Sequence, residues 1–577
     1  MTSFLKVTSI IFVGALVASC TQSSTPPSSS APIKTLSVKR LPILFSSNPN
    51  VIDCASTIKV EAGACHVSKG SGQEITIAGK ILAPGTTYND GIVNIGSDGK
   101  IQYVGCPTTQ HKAFMDKATV VACLNAVVSP GLINTHDHLT YDQSTPNPSF
   151  WGSTRYNNRS EWRFGTSTKP KIPYGTGTDI QVAWSELRQV MSGTTSITGS
   201  GGYKGFLRNL DRTDLQEWGT VPTTQTVDYV TFPLGGSQSN IQSTNCTNYQ
   251  YFNGWQTVFS DYQDFLPHVA EGIDIYARNE LACLAESGDG SKDLTEAKST
   301  FIHSVGALTG DAVVLQKKGA SVVWSPRSNI ALYGNTAQVS LYDTIGLNIA
   351  LSSDWTPSGS MNLVRELKCA SNFNKNHLNQ HFNNYELWKM VTANAADALH
   401  VDDKIGRLKT GLYADISVYV NPGLSGGHKA IIDSTSDSTL LVLRGGKALY
   451  GDADIVAAVN PNCETMPSSI GQNKAVCIQQ ELGMNFPDLA GVNTGSYPLT
   501  YRSSLPKGEP TCTPSRPNEY TGKLTSSDPD GDGIPNASIK TDNCPYVFNP
   551  VRPVDNGKQP DFDGDGIGDV CDPKPLE

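Results

Sequence analysis

The sequence predicts an α/β fold, and within that class a (β/α)8 TIM-like barrel. Three short apolar segments indicate strands that each end in polar side chains: 265–271 (FLPHVAE), 301–308 (FIHSVGAL) and 347–354 (LNIALSSD). Helix-like stretches lie between them: 273–285, 311–319 and 337–346. Strands that alternate with helices favour a parallel sheet. A (β/α)8 barrel carries its chemistry at the C-terminal ends of its strands, where these polar side chains fall.

Length and composition exclude several classes of function. The chain has 577 residues, which predicts more than one domain and a large buried core. Its formal net charge is −9 and no basic run occurs, so we expect no nucleic-acid partner. The one long apolar stretch lies at the N-terminus and is shorter than a membrane-spanning helix requires, which argues against an integral membrane transporter.

The N-terminal segment is typical of a secretory signal. Residues 1–20 place Lys6 before an apolar run and end in small residues. The last four, Val-Ala-Ser-Cys, resemble a bacterial lipobox, and the resemblance implies cleavage before Cys20 and lipidation of that residue. An ordinary cleaved signal is the alternative. We expect a lipid-anchored protein outside the cytoplasm, facing the periplasm or on the cell surface. Residues 21–70 would form a Ser/Thr/Pro-rich tether and an N-terminal extension.

The cysteines predict disulfides. Setting Cys20 aside leaves twelve of the 13 cysteines, an even number, in a chain expected to be exported. Proximity in sequence favours local pairs, although the sequence does not fix the connectivity: Cys54–Cys65, Cys106–Cys123, Cys463–Cys477 and Cys544–Cys571. No CxxC motif occurs, so a zinc–thiolate site or a thioredoxin-type centre is not expected.

A candidate metal site begins in residues 127–140 (VVSPGLINTHDHLT). A turn at Pro130-Gly131 leads into an apolar strand that ends in His-Asp-His. Side chains two residues apart on a strand share a face, so His136 and His138 project together and Asp137 points the other way. Two converging imidazoles supply half of a zinc-type site. An isolated HxH pair is more often incidental, so its context decides.

The context resembles the amidohydrolase superfamily, and most closely its mononuclear deaminases and chlorohydrolases. The motifs SPGLINTHDH, HVAE, IHSVG, SPRSN and SSDW have the order and spacing of that family over about residues 75–450. The resemblance implies one divalent transition metal, with zinc favoured and iron as the alternative. It implies these metal ligands: His136, His138, His268 and Asp354. It also implies that Glu271 shuttles protons and that His303 faces the substrate.

The chemistry of these residue types agrees with that assignment. Three neutral imidazoles and one carboxylate leave an open position for water, whose pKa the metal lowers toward neutrality. Asp354 would take the proton of that water, Glu271 would protonate the departing nitrogen, and His303 would stabilise the oxyanion. We therefore expect an enzyme that uses metal-bound hydroxide to cleave a non-peptide carbon–nitrogen bond of a small molecule. The bond would belong to an amide, a cyclic amide or an aminated heterocycle.

Each assignment has a plainer alternative. Glu271 could be a helix-starting carboxylate and His303 could cap a loop. A second metal is disfavoured, because the bridging lysine of binuclear members is missing between Gly205 and His268, and Lys204 lies too early.

Three residues are candidate substrate contacts. Trp355 stands where the family usually has a smaller residue and would narrow the pocket, Tyr141 follows the HxH motif, and Arg327 lies in SPRSN at the end of a predicted strand. An aromatic and Arg-rich stretch follows the HxH motif and could form a pocket wall in which an Arg clamps a carboxylate of a polar substrate. Its candidate wall residues are Tyr141, Arg155, Tyr156, Trp162 and Arg163. It could equally be a structured loop that packs on the barrel.

The flanks of the barrel complete the predicted organisation. The resemblance implies a small β-sandwich built from both sides, 71–128 and 404–450, around a barrel at 129–403. Residues 385–400 are typical of an amphipathic helix. Residues 451–524 match no pattern and would be a disulfide-containing extension.

The tail, residues 525–577, has a calcium-loop pattern. It holds ten Asp and one Glu against four basic residues, so seven of the nine net negative charges lie there. Prolines and the missing position-12 Glu exclude an EF-hand. The pattern resembles thrombospondin type 3 repeats, which implies bound calcium, whereas a solvated acidic tail is the alternative. The candidate calcium ligands are Asp528, Asp530, Asp532, Asp561, Asp563, Asp565 and Asp569.

A rival function is a non-catalytic surface-binding or adhesion protein on a retired barrel, with the calcium repeat as its interaction part. The complete ligand set and Glu271 argue against it. The substrate and the oligomeric state do not follow from the sequence.

Overall fold

Strands from both flanks of the barrel and from the barrel itself are visible in the computed structural model. It describes residues 48–55, 65–147, 155–238, 241–285, 288–423, 427–501, 505–536 and 541–577. The signal segment 1–20 with Cys20, and residues 21–47 of the tether, lie outside the described residues. Across the described ranges, every helix is too short or too polar to cross a membrane.

The N-terminal flank consists mainly of strands. They run in this order: β1 (Asn50–Asp53), β2 (Cys65–Ser68), β3 (Ile75–Ala83), β4 (Thr86–Ile95), β5 (Ile101–Gly105) and β6 (Thr119–Pro130), with helix α1 (Lys112–Met115) before β6. The turn at Asp98-Gly99, where Gly99 has a φ of +74°, connects β4 to β5.

Eight parallel strands form the centre of the molecule: β7 (Leu132–Asp137), β8 (Thr194–Gly199), β9 (Arg208–Asn209), β10 (Val227–Val230), β11 (Asp264–Val269), β12 (Thr300–His303), β13 (Ser321–Trp324) and β14 (Asn348–Leu351). Strands β7–β9 pair in one sheet and β10–β14 in another. The amide of Val227 donates to the carbonyl of Leu210 (3.1 Å) between the sheets, and a parallel bridge joins Asp137 to Asp354 at the other seam. The arrangement is a TIM-barrel-like α/β fold.

Helices follow most of the strands: α2 (Arg159–Phe164), α3 (Asp179–Val190), α4 (Val258–Asp261), α5 (Ile275–Leu284), α6 (Thr309–Lys318), α7 (Pro326–Tyr333), α8 (Val339–Thr344), α9 (Leu363–His377), α10 (Asn384–Lys389) and α11 (Ala393–Ala398). Helices α5, α6 and α8 lie where the sequence predicts them. The single helix predicted over 385–400 is instead two short helices, α10 and α11. Buried side chains of six strands share one core: Ile133, Val227, Leu266, Ile302, Val323 and Ala350.

The C-terminal flank pairs with the N-terminal flank. Its elements are β15 (Ile416–Val420), α12 (Gly427–Ile432), β16 (Thr439–Arg444), β17 (Lys447–Asp452), α13 (Ala453–Val459), β18 (Glu464–Thr465), β19 (Lys474–Val476), α14 (Ile478–Leu482) and α15 (Phe486–Val492). Strand β15 pairs antiparallel with β6, which joins both flanks in one mixed sheet of eleven strands. That sheet also takes in β18 and β19, which belong to the extension.

Six disulfides connect the twelve cysteines other than Cys20: Cys54–Cys106, Cys65–Cys123, Cys246–Cys283, Cys369–Cys512, Cys463–Cys477 and Cys544–Cys571. Two of the four local pairs expected from the sequence are wrong, namely Cys54–Cys65 and Cys106–Cys123. Strand pairing explains the exchange, because β2 lies antiparallel to β6 with Cys65 directly opposite Cys123.

The tail packs against the barrel. Val547, Phe548 and Val570 belong to the same buried cluster as the barrel helices. Arg552 is 3% exposed, pairs with Asp555 (2.8 Å), and donates to the carbonyls of Val305 (2.8 Å) and Ala307 (3.3 Å) just after β12. The acidic tail is therefore anchored on loops next to the strand ends.

We expect Arg552→Ala to loosen this anchor, since breaking a buried ion pair costs about 3–5 kcal/mol. Amide hydrogen exchange of residues 541–577 measures this loosening, and we expect the free energy of local opening there to fall by about 3–5 kcal/mol. The matched control is Lys574→Ala, which removes an ion pair with Glu577 (2.5 Å) that is exposed to solvent and contributes little to stability. Equal effects of the two substitutions would contradict the anchoring role.

Candidate metal centre and catalytic pocket

Four side chains from three places in the barrel converge on one point. His136 and His138 lie at the end of β7, His268 lies on β11, and Asp354 follows β14. One ligand atom from each lies within 4.8 Å of the other three. The Nε2 of His268 is 3.3 Å from that of His138, and His136 Nε2 is 3.1 Å from Asp354 Oδ1. The residues expected to be ligands are therefore brought together.

Backbone hydrogen bonds across the closing seam fix this geometry. The amide of His138 donates to the carbonyl of Asp354 (2.7 Å), and the amide of Asp354 donates to the carbonyl of His136 (3.2 Å). The HxH pair and Asp354 are therefore held together where the first and last barrel strands meet. Side-chain convergence follows from strand pairing rather than from chance packing.

Asp137 points away from the metal cluster, as its place between the histidines predicts. Its Oδ2 accepts from Asn134 (2.8 Å), Gln189 (3.0 Å) and Ser353 (2.6 Å), all buried behind the seam. Burial and the nearby Asp142 raise the pKa of Asp137 well above its ordinary value. This polar network fixes the strand ends from the side opposite the ligands.

The electrostatics of the cluster suit a divalent metal. Burial lowers the pKa values of His136 and His268, and burial with the adjacent His136 lowers that of His138 to about 3. All three imidazoles are therefore neutral, which metal binding requires. For His138 to bind a metal through Nε2, its Nδ1 must carry the proton. Tyr229 Oη lies 3.2 Å from Nδ1 and can accept the hydrogen bond from this N–H group.

Asp354 remains ionised in this setting. Burial alone would raise its pKa, but the facing His303 and His136 outweigh that effect and hold the pKa below its ordinary value. Ser328 Oγ donates to its Oδ2, which leaves Oδ1 toward the histidines. Three neutral nitrogens and one carboxylate oxygen form a donor set that fits zinc or iron.

Left-handed backbone marks the same strand ends. Ala270, His303, Ser304 and Asp354 have φ values of +52°, +73°, +51° and +65°. Residues with side chains rarely adopt this conformation, and where it persists it costs of order 1–3 kcal/mol per residue. Of these four residues, His303 and Asp354 line the cavity, and the backbone hydrogen bonds of the seam hold Asp354 in place.

Glu271 is held by a hydrogen-bond pair that the sequence does not indicate. Tyr333 Oη donates to Glu271 Oε1 (2.7 Å), and Trp162 Nε1 donates to Tyr333 Oη (2.9 Å). Burial and the negative charge of Glu271 raise the pKa of Tyr333, so it remains a neutral donor. The second oxygen, Oε2, lies 3.9 Å from His303 Nε2 and stays available for a proton.

A chain of donors fixes the tautomer of His303. Trp324 Nε1 donates to Thr336 Oγ1 (2.7 Å), which donates to Asn329 Oδ1 (3.3 Å). The amide nitrogen of Asn329 then donates to His303 Nδ1 (3.1 Å). With Nδ1 accepting, the proton sits on Nε2, which faces Glu271 and the cavity. His303 is therefore a preset hydrogen-bond donor.

A cavity of about 160 Å³ opens over the cluster. Its wall includes Tyr141 and Trp355, two of the three expected substrate contacts, together with Trp162, Tyr174 and Phe232. Glu271 and His303 also line it. Trp162 and Arg163 of the aromatic and Arg-rich stretch thus contribute to the pocket wall, whereas Arg155 and Tyr156 do not line the cavity.

Arg327, the third expected contact, does not line this cavity. The sequence suggests a strand end at SPRSN, whereas β13 ends at Trp324 and α7 begins at Pro326. The helical turn directs Arg327 away from the site, where its guanidinium bonds Ser360 (2.6 Å) and pairs with Glu509 (3.4 Å). Ser328 and Asn329 of the same motif face the site instead.

The comparisons with known proteins agree with this geometry. Residues 271–449 match the model of a family described as the amidohydrolase family. The 5-methylthioadenosine/S-adenosylhomocysteine deaminase of Pyrococcus furiosus is 24% identical over 367 residues, which cover 58% of this chain and 85% of that protein. The protein of the same description from Caldanaerobacter subterraneus is 29% identical over 152 residues, 26% of this chain and 34% of that protein. The chain spans 27–34% of the length of the first four curated relatives it matches.

Solved structures support the fold. The atrazine chlorohydrolase of Arthrobacter aurescens, solved in complex with zinc, superposes with a TM-score of 0.50 at 14% identity, covering 73% of this chain and 99% of that chain. At this identity the likeness concerns the fold alone.

We expect His268→Ala to release the metal. Removing a ligand should cost more than the roughly 10–100-fold loss of affinity that follows removal of an outer hydrogen-bond partner. Elemental analysis of purified, metal-loaded protein measures it, with about one equivalent expected in the wild type. The matched control is His66→Ala, whose exposed side chain bonds Ser68 far from the four ligands in sequence. Full metal content in the His268 variant would contradict the ligand assignment.

Proposed function

We propose that this chain, a member of the amidohydrolase superfamily, is a metal-dependent hydrolase that cleaves a non-peptide carbon–nitrogen bond of a small molecule. The observation that carries the proposal is the convergence of three neutral imidazoles and an ionised Asp354 at one cavity that also exposes Glu271 and His303. A retired barrel would have no reason to keep all six groups in this arrangement.

The protein's own groups divide the work of hydrolysis. A divalent metal at the four ligands would supply a Lewis acid that activates water near neutral pH. Asp354 offers a carboxylate at the same point to accept the proton of that water. His303 Nε2–H is placed to stabilise negative charge that develops on the substrate. Glu271 Oε2 can carry a proton to the departing nitrogen while Tyr333 holds Oε1.

We expect Glu271→Gln to retain the metal and to lose about 10²–10⁴-fold in kcat, because the amide cannot transfer the proton. Steady-state kinetics on a substrate found by screening cyclic amides, N-acyl amino acids and aminated heterocycles would measure this loss. The control variant is Glu296→Gln, on an exposed residue outside the cavity. Wild-type turnover in the Glu271 variant would remove it from the mechanism.

We also propose that the tail binds calcium. Asp528, Asp530 and Asp532 form one carboxylate cluster, and Asp561, Asp563 and Asp565 form a second. Burial and the neighbouring Asp532 raise the pKa of Asp530 to about 9, and its Oδ2 is buried with no hydrogen-bond partner among the described residues. A hard cation would satisfy both features. Asp569 is not a member of either cluster, and its carboxylate accepts hydrogen bonds from Phe562 (2.7 Å) and Thr309.

We expect Asp530→Asn to abolish one of about two calcium sites, since it removes a charged oxygen from the buried cluster. Calorimetric titration of chelator-treated protein with calcium counts the sites. The exposed Asp488→Asn serves as the control. An unchanged stoichiometry in the Asp530 variant would refute the site.

Export and lipid anchoring are also proposals, supported by the signal pattern of residues 1–20. We expect Cys20→Ser to abolish metabolic labelling by a fatty acid and to release the protein from the membrane fraction. Labelling that survives this substitution would refute the anchor at Cys20.

A further inference from the structure

Arg163 lines the catalytic cavity without an acidic partner among the described residues. It lies in α2, is half-buried and lines the cavity beside Glu271 and His303. Its guanidinium lies over the ring of Phe232 (3.8 Å to the centroid) and near that of Phe164 (4.8 Å). Among the described residues it makes no hydrogen bond and no ion pair. Within the part of the chain that the structure describes, its five N–H donors are left for water or a ligand.

Other arginines around the barrel are satisfied by acids. Arg159, four residues earlier, pairs with Glu280 (2.6 Å), Arg208 pairs with Asp415 (2.8 Å), and Arg552 pairs with Asp555. Buried or half-buried polar groups normally find such partners. Among the described residues Arg163 has no such partner although it faces the site, which favours a partner that comes from a bound ligand.

The acids in the cavity are already engaged. Glu271 accepts from Tyr333, and Asp354 accepts from Ser328 and faces His136. Neither lies within ion-pair distance, 4.0 Å, of Arg163. The positive charge at this wall is therefore not neutralised by the catalytic carboxylates.

Aromatic rings surround the remaining space. Trp162 and Trp355 lie 5.2 Å apart, Tyr174 and Trp355 lie 5.4 Å apart, and Tyr141 and Tyr174 lie 4.9 Å apart between ring centroids. Such walls favour a flat, apolar or unsaturated body. The volume of about 160 Å³ is below the range of about 300–1,000 Å³ typical of drug-sized ligands.

We propose that Arg163 binds an anionic oxygen group, a carboxylate or a phosphate, on a small planar substrate whose carbon–nitrogen bond is presented to the metal cluster. This proposal rests on the proposed function, which supplies the type of reaction. The guanidinium offers two parallel N–H donors to such a group, and its contact with the ring of Phe232 orients the guanidinium. The ring of the substrate lies between the aromatic side chains.

Binding of non-hydrolysable probes tests the subsite without turnover. Calorimetry on metal-loaded protein compares benzoate with its neutral counterpart benzamide, and includes inorganic phosphate to distinguish the two anion sources. We expect benzoate to bind at least about tenfold more tightly than benzamide, or phosphate to bind in its place. Arg163→Gln should abolish the preference, and Arg163→Lys should keep only part of it because the bidentate geometry is lost.

The control is Arg212→Gln, on an exposed arginine outside the cavity. Benzoate and benzamide that bind equally to the wild type, with no phosphate binding, would overturn the proposal. An undiminished preference in the Arg163 variants would also overturn it, since the metal alone would then bind the anion. Circular dichroism checks folding, and the lysine variant preserves the test if the glutamine variant does not fold. Hydrolysis seen only with neutral substrates would refute the anion subsite and leave the proposed hydrolase function standing. Anion binding at Arg163 without any hydrolysis would support the subsite and refute the hydrolase function.

Discussion

The seam between the first and last barrel strands determines the site. Two backbone hydrogen bonds join Asp354 to the HxH strand, and they bring together residues separated by 216–218 positions in sequence. Without that closure, His136 and His138 would face empty space and Asp354 would have no reason to turn inward with a positive φ. Because the seam lies at the C-terminal ends of the strands, closing the barrel and building the ligand cluster are one event.

Buried polar groups hold the seam and the catalytic residues from behind. The Asp137 network with Asn134, Gln189 and Ser353 supports the strand ends, while Tyr333 and Asn329 orient Glu271 and His303. The C-terminal part of the chain extends this support. Arg516 donates to the carbonyl of Tyr333 (2.7 Å), and Arg552 donates to the loop after His303. The tail is thus part of the scaffold of the site, which makes a separate adhesion arm a poor description of it.

Much of the site follows from local sequence patterns, and the exceptions have physical causes. The alternation of histidines on a strand predicts which of them share a face, and the chain order of HVAE, IHSVG and SSDW predicts where the remaining groups lie. Arg327 lies outside the cavity because the strand ends at Trp324 and a helix begins at Pro326, so the direction of its side chain follows a period of 3.6 residues rather than 2. Tyr333 and the disulfide exchange depend on contacts between distant segments, which no local pattern encodes.

The most direct test of the central claim is anomalous diffraction from crystals of the protein loaded with zinc. We expect one strong peak at the zinc edge, about 2.0–2.2 Å from Nε2 of His136, His138 and His268 and from a carboxylate oxygen of Asp354. A peak confined to the aspartate clusters of the tail, or none at the barrel seam, would contradict it.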